Sequence, residues 1–266
     1  MREIVASIEE AGAADEVDSD LLPRLRGRLL FSRSLAFGRC GGVAIRALGE
    51  AIRAGPGRRI VIRGELARAL WTLRRHLLEA RPREIRCVHS TAPLLFFDGA
   101  FEPLPGGGNL GSVGGILLDP HDQAYEFFRL QLSGVQVRFL LGLTGQTAIF
   151  ELELLPVVVG RRLWQHRLTE RSLICFVDNE AAKCALIAGY SAKPAACSIL
   201  DEVAVLDVRG GTLPWYDRVS SVSNLADAPS RGEAPLPLDG WSAPKELLCR
   251  AEVDDIFIKL RSAAPT

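Results

Sequence analysis

The stretch LLFFDGAFE, residues 94–102, decides the fold. Four apolar residues lead directly into Asp98, and two small residues, Gly99 and Ala100, follow it. A short apolar run bounded by prolines is typical of a buried β-strand. We therefore predict a strand that ends at Asp98, with open space beyond its carboxylate. Because an Asp-Gly pair is also common in turns, this motif alone does not distinguish a functional site from a turn.

The residues on either side of this strand predict an α/β protein with a mixed sheet of five strands flanked by helices. The predicted strands are 91–98, 113–120, 123–132, 172–178 and 212–220. The predicted helices are 145–167, 180–189 (closed by Gly189), 195–211 and 223–232. A flexible loop is expected at 103–112. Short connections among the first three strands favour antiparallel neighbours.

Charge divides the chain into segments, although its net charge is zero. Residues 1–20 hold seven acids and one arginine, whereas residues 23–86 hold sixteen arginines and four glutamates. We predict an acidic flexible lead-in at 1–22, a basic helical connecting region at 23–89, the α/β domain at 90–232 and a tail at 233–266. The arginines suit contact with nucleic-acid phosphates. A solvated basic face is the alternative interpretation, since the whole chain prefers arginine to lysine.

Composition narrows the class of protein further. The chain is 48% hydrophobic, but no apolar run approaches the ~18–20 residues of a membrane span, so no membrane partner is expected. The six cysteines are scattered without a C-x-x-C pair, which disfavours zinc and indicates a reducing, intracellular compartment, cytoplasmic or nuclear. The four histidines are also too dispersed to form a ligand set. The cysteines are Cys40, Cys87, Cys175, Cys184, Cys197 and Cys249.

Four acids stand at positions where a carboxylate is informative. Helical spacing places Glu153 on the apolar side of the helix at 145–167, and Glu151 with the solvated residues. Asp178 ends a strand as Asp98 does, and Asp227 lies between two alanines. Helix capping or a helix N-terminal acid is the ordinary explanation for Asp178 and Asp227. If these acids cluster, their repulsion requires a cation, and oxygen ligands suit two Mg²⁺ or Mn²⁺ ions ~4 Å apart.

The series FFDGAFE, GGILLD, ELLP, FVDNEAA and SNLADAPSR resembles the ribonuclease H domain at the C-terminal end of retrotransposon reverse transcriptases, over about residues 90–232. Its close is similar to the family ending Asn-x-x-Ala-Asp-x-x-Ser-Arg. The resemblance implies a ribonuclease H-like fold with a helical N-terminal extension. It also implies a two-metal endonuclease that cuts the RNA strand of RNA–DNA hybrids. The family's catalytic, metal-binding acids fall on Asp98, Glu153, Asp178 and Asp227.

Two departures from the family pattern leave alternatives open. The loop YDRVSSVSN, residues 216–224, lacks the histidine that many members carry, and the chain has no Tyr-x-Asp-Asp polymerase motif. Polymerisation would therefore belong to a separate partner, the polymerase part of a reverse transcriptase. One alternative is a catalytically inactive module that binds nucleic acid or serves a structural role. Another is an integrase-like or structure-specific nuclease. Lys183, Trp215 and Tyr216 are further candidates for nucleic-acid contact, although a solvated lysine and strand packing of the two aromatic residues are the favoured explanations.

Overall fold

The computed structural model describes residues 2–32, 41–55, 59–79, 91–105 and 107–263. A helical N-terminal module precedes an α/β unit that is built on one large sheet. The strands are β1 (Glu16–Val17), β2 (Ile60–Val61), β3 (Leu94–Pro103), β4 (Asn109–Asp119), β5 (Ala124–Gln131), β6 (Ser172–Val177), β7 (Leu213–Arg218) and β8 (Lys245–Glu246). The helices are α1 (Arg2–Ala13), α2 (Leu21–Ser32), α3 (Gly42–Ala54), α4 (Gly64–Glu79), α5 (Gly134–Thr144), α6 (Ile149–Leu163), α7 (Gln165–Leu168), α8 (Glu180–Ala188), α9 (Pro194–Gly210), α10 (Asp227–Ser230) and α11 (Arg250–Ala263).

The acidic N-terminal segment is a folded part of the helical module. Helix α1 packs on α2 and α4 and buries Ile8 and Ala11 in the core of the module. The flexible lead-in predicted for residues 1–22 is therefore wrong over α1. Its acidic composition suggested disorder, but Ile4, Ile8 and Ala11 recur at helical spacing and form an apolar stripe.

The acids of this segment neutralise the arginines that follow it. Arg74 donates a hydrogen bond to Glu9 at 2.7 Å, and Arg59 lies 3.9 Å from Asp18. Over the described residues between 2 and 79, eleven arginines stand against ten acids. Within these described ranges the acids nearly balance the arginines, and contact of the basic region with nucleic acid remains a prediction.

The large sheet is mixed, as the sequence predicts, and has the strand order β7-β6-β3-β4-β5-β8. Strands β3, β4 and β5 form an antiparallel meander, whereas β6 pairs in parallel with both β3 and β7. Among the described residues, the sheet has six strands instead of the predicted five. The sixth, β8, comes from the C-terminal tail and pairs in parallel with β5. A two-residue strand carries no sequence periodicity by which it could be recognised.

Strand β3 extends well past Asp98, contrary to the prediction that it ends there. Its pairing with β4 continues from Leu94 opposite Leu118 to Pro103 opposite Asn109. The loop predicted at 103–112 shrinks accordingly to 104–108. The partner strand holds β3 extended through Asp98, because backbone pairing outweighs the local turn preference of an Asp-Gly pair.

The helices agree with the predictions in part. Helices α8 and α9 lie where expected, and Gly189 ends α8 in the left-handed conformation. Helix α5 was not predicted, although Ser133 and Gln136 form a capping box at its start. The single helix predicted at 145–167 is two helices, α6 and α7. Pro156 lies inside α6.

The predicted tail at 233–266 belongs to the packed unit. Helix α11 places Val253, Ile256 and Phe257 in the same core as the sheet and α6. Helix α9 joins the two cores, since its Val203 faces this core while its Val208 faces that of the N-terminal module. Among the described residues, no helix is both long enough and apolar enough to cross a bilayer.

Helix α6 lies unusually close to β3 at two glycines. A Cβ at Gly99 would stand 2.3 Å from the backbone oxygen of Leu152, and one at Gly160 would stand 2.5 Å from the ring of Phe97. Real Cβ atoms do not occupy such positions. The absence of side chains therefore sets the distance between the helix and the sheet.

We expect Gly99→Ala to destabilise the protein by about 1–3 kcal/mol, because the added methyl group forces α6 away from β3. The free energy of unfolding in urea measures this effect. Gly142→Ala is the matched control, since Gly142 lies inside α5 and an added Cβ there would meet no atom within 4 Å. Equal stability of the two variants would contradict the role given to the close contact.

Candidate metal centre

Strands β3 and β6 stop pairing and separate at the candidate site. Parallel pairing joins Leu94–Phe96 to Ile174–Phe176 and stops there. Asp98 and Asp178 each lie two residues beyond the last pair, so the sheet places them side by side where the strands separate. Openings of this kind beyond parallel strands are the usual ligand positions in α/β proteins.

Helix α6 brings a third carboxylate to this opening. The close contact between Leu152 and Gly99 places the next residue, Glu153, beside the strand that carries Asp98. The backbone of Gly99 also acts on the Glu153 carboxylate and lowers its pKa against the larger effect of burial. One glycine therefore admits the helix that carries this acid.

Asp98, Glu153 and Asp178 each offer a carboxylate oxygen within 4.8 Å of the others. Asp98 is 5% exposed and Glu153 6% exposed, while Asp178 is partly exposed. The structure thus brings together three of the four acids that the sequence singled out.

Burial and mutual repulsion act on the protonation of these acids. Burial, followed by the charges of Asp178 and Asp98, raises the pKa of Glu153 from 4.5 to about 9. Burial also raises the pKa of Asp98, against a hydrogen bond from Ser230 that lowers it, and the charge of Asp178 adds to the rise. At neutral pH the cluster therefore carries a proton on Glu153 unless a cation takes the place of that proton.

A divalent cation fits the donor set. The Oε2 atom of Glu153 is buried and has no hydrogen-bond partner, which is costly for a carboxylate oxygen unless a cation approaches it. The three ligands offer only oxygen, and oxygen ligands are those preferred by Mg²⁺ and Mn²⁺. Asp98, Glu153 and Asp178 are therefore the residues that would hold such an ion.

Asp227 stands apart from the group of three. It is 40% exposed, and both of its oxygens accept from Nε of Arg231 at 3.1 Å. Arg231 also lies 3.6 Å from Glu102, the remaining acid of the opening motif. The charge of Asp227 nevertheless raises the pKa of Asp98, so it lies near enough to affect the cluster. The fourth predicted ligand is paired with an arginine at the rim of the site.

Two polar side chains of the SNLADAPSR motif, to which the sequence assigned no role, contact Asp98. The Oγ atom of Ser230 donates to Oδ2, and the Nδ2 atom of Asn224 donates to Oδ1 at 3.4 Å. They lie three residues on either side of Asp227, inside the SNLADAPSR segment. The sequence signal that marks them is their equal spacing on either side of a candidate acid.

Glu151 corrects a further prediction. It was expected to be solvated, yet it is fully buried, and neither of its oxygens has a hydrogen-bond partner. The Nζ atom of Lys193 lies 4.0 Å away, and burial raises the pKa of Glu151. The prediction from helical spacing failed because this part of α6 is buried on every side, between the sheet and helices α8 and α9.

The other sequence candidates do not join the cluster. Lys183 forms an ion pair with Glu180 at 2.8 Å, Trp215 is 68% exposed, and Tyr216 is buried. In the part of the chain that the structure describes, the three acids form the only group of His, Cys, Asp and Glu side chains with metal-ligand spacing. His89 lies outside the described residues.

The raised pKa of Glu153 predicts how the metal-free protein responds to pH. Because the folded state binds this proton more tightly than the unfolded state, stability falls as pH rises from about 4.5 towards 9. Glu153→Gln removes that loss. At pH 8 in a chelating buffer we expect the variant to exceed the wild type by more than about 1.4 kcal/mol, the equivalent of one pKa unit.

Urea unfolding at several pH values checks this prediction. The difference between variant and wild type should shrink as the pH approaches 4.5. Glu233→Gln, at an exposed glutamate, is the control and should show no such trend. A less stable Glu153→Gln variant at pH 8 would contradict the electrostatic account.

Comparison with known proteins gives only partial likenesses. No family model and no curated protein matches the chain. Among solved structures, RNase H1 from the halophilic archaeon Halobacterium salinarum NRC-1 overlaps with a TM-score of 0.34 and 15% identity, over 53% of this chain and 95% of that one. The N-terminal RNase H domain of a Mycobacterium tuberculosis protein, solved as a fusion with maltose-binding protein, gives 0.37 and 12%, over 66% and 100%. Overlaps this weak carry no argument about activity.

Proposed function

We propose that the protein is a metal-dependent endonuclease of the ribonuclease H type, which cleaves the RNA strand of RNA–DNA hybrids. The observation that carries this proposal is the convergence of Asp98, Glu153 and Asp178 within 4.8 Å. The resemblance of the surrounding motifs to ribonuclease H domains supports the choice of substrate. Three of the four acids at the matched positions lie together although they come from distant parts of the chain.

Each acid has a task that follows from its position. Asp98 and Asp178, fixed by neighbouring strands, would hold the cation from the sheet, and Glu153 would hold it from the helix. A bound divalent ion supplies an activated water and neutralises charge on the leaving oxygen of a phosphodiester. Glu153, whose pKa is raised by burial and then by the charges of Asp178 and Asp98, would release its proton as the ion enters, because the positive charge of the ion favours the carboxylate form. Asp227 would complete a second ion site on turning away from Arg231.

We further propose that the chain is the nuclease part of a retroelement reverse transcriptase, with the polymerase part as its partner. The NLADAPSR ending and the helical segment before the α/β unit support this context. The protein would then act inside the cell, in the cytoplasm or the nucleus, wherever reverse transcription produces hybrids.

Cleavage of a labelled RNA–DNA hybrid tests the activity. We expect cleavage of the RNA strand with Mg²⁺ or Mn²⁺, none with chelator, and a loss of at least about 100-fold in Asp178→Asn, because the variant removes a charged ligand. Asp239→Asn, at an exposed aspartate of the C-terminal segment, is the control and should cleave normally.

The outcomes of this assay separate the alternatives. Salt-dependent hybrid binding without cleavage would indicate the inactive nucleic-acid-binding module. Cleavage of DNA duplexes or branched DNA in preference to the hybrid would indicate an integrase-like or structure-specific nuclease.

Asp227→Asn tests the second ion site. Since three other acids already converge without Asp227, we expect this variant to bind one Mn²⁺ with nearly wild-type affinity and to lose the second ion. Calorimetric titration with Mn²⁺ gives the stoichiometry. We expect Asp178→Asn to bind no ion. If Asp227→Asn also binds none, the proposal of one ion site formed by three acids and a second site completed by Asp227 is wrong.

A further inference from the structure

We propose that Ser230 and Asn224 are positioning residues that fix the Asp98 carboxylate, so that its remaining acceptor positions point towards Glu153 and Asp178. The catalytic consequence rests on the proposed function, whereas the consequence for metal binding does not.

The first support is the way the two donors share the carboxylate. Ser230 donates to Oδ2 and Asn224 to Oδ1. An ionised carboxylate has about four acceptor positions, so one donor on each oxygen fixes the rotation of the group and leaves positions free on both. A carboxylate held in this way needs no rearrangement to accept a cation, and outer partners of this kind set ligand orientation in metal sites.

The second support is that both donors are buried and held near Asp98. The Ser230 hydroxyl has one alternative acceptor, the neutral backbone oxygen of Asp227 at 2.8 Å, and an ionised carboxylate is the stronger acceptor of the two. Ser230 is fully buried and Asn224 is 5% exposed. The Asn224 amide is fixed at both ends, because Nδ2 also donates to the backbone oxygen of Phe97 at 3.1 Å and Oδ1 accepts from the backbone of Ala226 at 3.2 Å. The orientation of the donor that reaches Asp98 is therefore set by the surrounding backbone.

The third support is the close contact between α10 and the sheet. Gly114 lies directly opposite Asp98 in the β3–β4 ladder, so the two positions share one face. A Cβ at Gly114 would stand 2.3 Å from the backbone nitrogen of Ser230. Only a glycine lets the helix come down far enough for the short side chain of a serine to reach the carboxylate.

The test uses Mn²⁺ as the probe and Ser230→Ala as the first variant. We expect the dissociation constant of the tightest Mn²⁺ site to rise by roughly 10- to 100-fold, the range found when outer partners of metal ligands are removed. On the hybrid, kcat should fall by a similar factor while KM stays within about twofold, because the contacts to the nucleic acid are unchanged. Asn224→Ala should act in the same direction.

The matched control is Ser223→Ala, which removes an exposed serine of the same segment whose hydroxyl accepts a hydrogen bond from Ser220 at 2.9 Å. It should leave both the Mn²⁺ affinity and kcat unchanged. The free energy of unfolding in urea, measured for each metal-free variant, shows whether a loss of Mn²⁺ affinity comes from a destabilised fold or from a misplaced Asp98 carboxylate. If Ser230→Ala does not fold, Asn224→Ala decides by the same criteria.

Wild-type Mn²⁺ affinity in a folded Ser230→Ala variant would overturn the proposal, whatever its stability, because the role would then be structural only. The two proposals also fail separately. If the wild type binds Mn²⁺ but leaves the hybrid intact, the nuclease function is wrong, and the comparison of Mn²⁺ affinities still decides the positioning role.

Discussion

Close backbone contact at a glycine is the constraint on which the site depends. Helix α6 rests on β3 at Gly99, where a Cβ would overlap the Leu152 carbonyl, and this contact sets how near Glu153 comes to Asp98. A second glycine, Gly114, lets α10 approach the opposite face of the same strand pair. The geometry of the acidic cluster is therefore set by missing side chains as much as by the acids themselves.

The carboxylate cluster works against the stability of the fold that holds it. Two of its acids are almost completely buried, and burial raises the pKa of both. Such an arrangement persists only where the surrounding packing over-determines it. Here the packing comes from helix α6, which is buried from Glu151 to Arg161, and from a strand, β3, that is paired along its whole length. A bound divalent cation would offset the repulsion among these acids and the cost of burying them.

The sequence predicted the mixed sheet, its antiparallel meander, helices α8 and α9, and the acids that meet at the sheet opening, because strand ends and apolar runs are local patterns. It did not reveal that β3 continues through Asp98, since that depends on β4, nor that Glu151 is buried, since helical spacing assumes one solvated face. Helix α1 was not predicted, because its acidic composition suggested a flexible segment although its apolar stripe indicates a helix. The contact of Ser230 with Asp98 depends on the tertiary approach of α10, so the polar spacing around Asp227 marks Ser230 as a candidate without showing that it reaches Asp98.

The short strand β8 has a consequence for the edge of the sheet. It covers β5, and the next residue, Leu247, continues the contact by donating its backbone N–H to Phe127 at 2.8 Å. An open strand edge recruits strands from other molecules, so this segment shields β5 from self-association. Helix α11 then anchors the shield through Phe257 in the main core. A shortened form that stops at residue 232 would expose both the unpaired edge of β5 and the apolar surface that α11 covers. The smallest α/β unit that avoids aggregation therefore extends through α11.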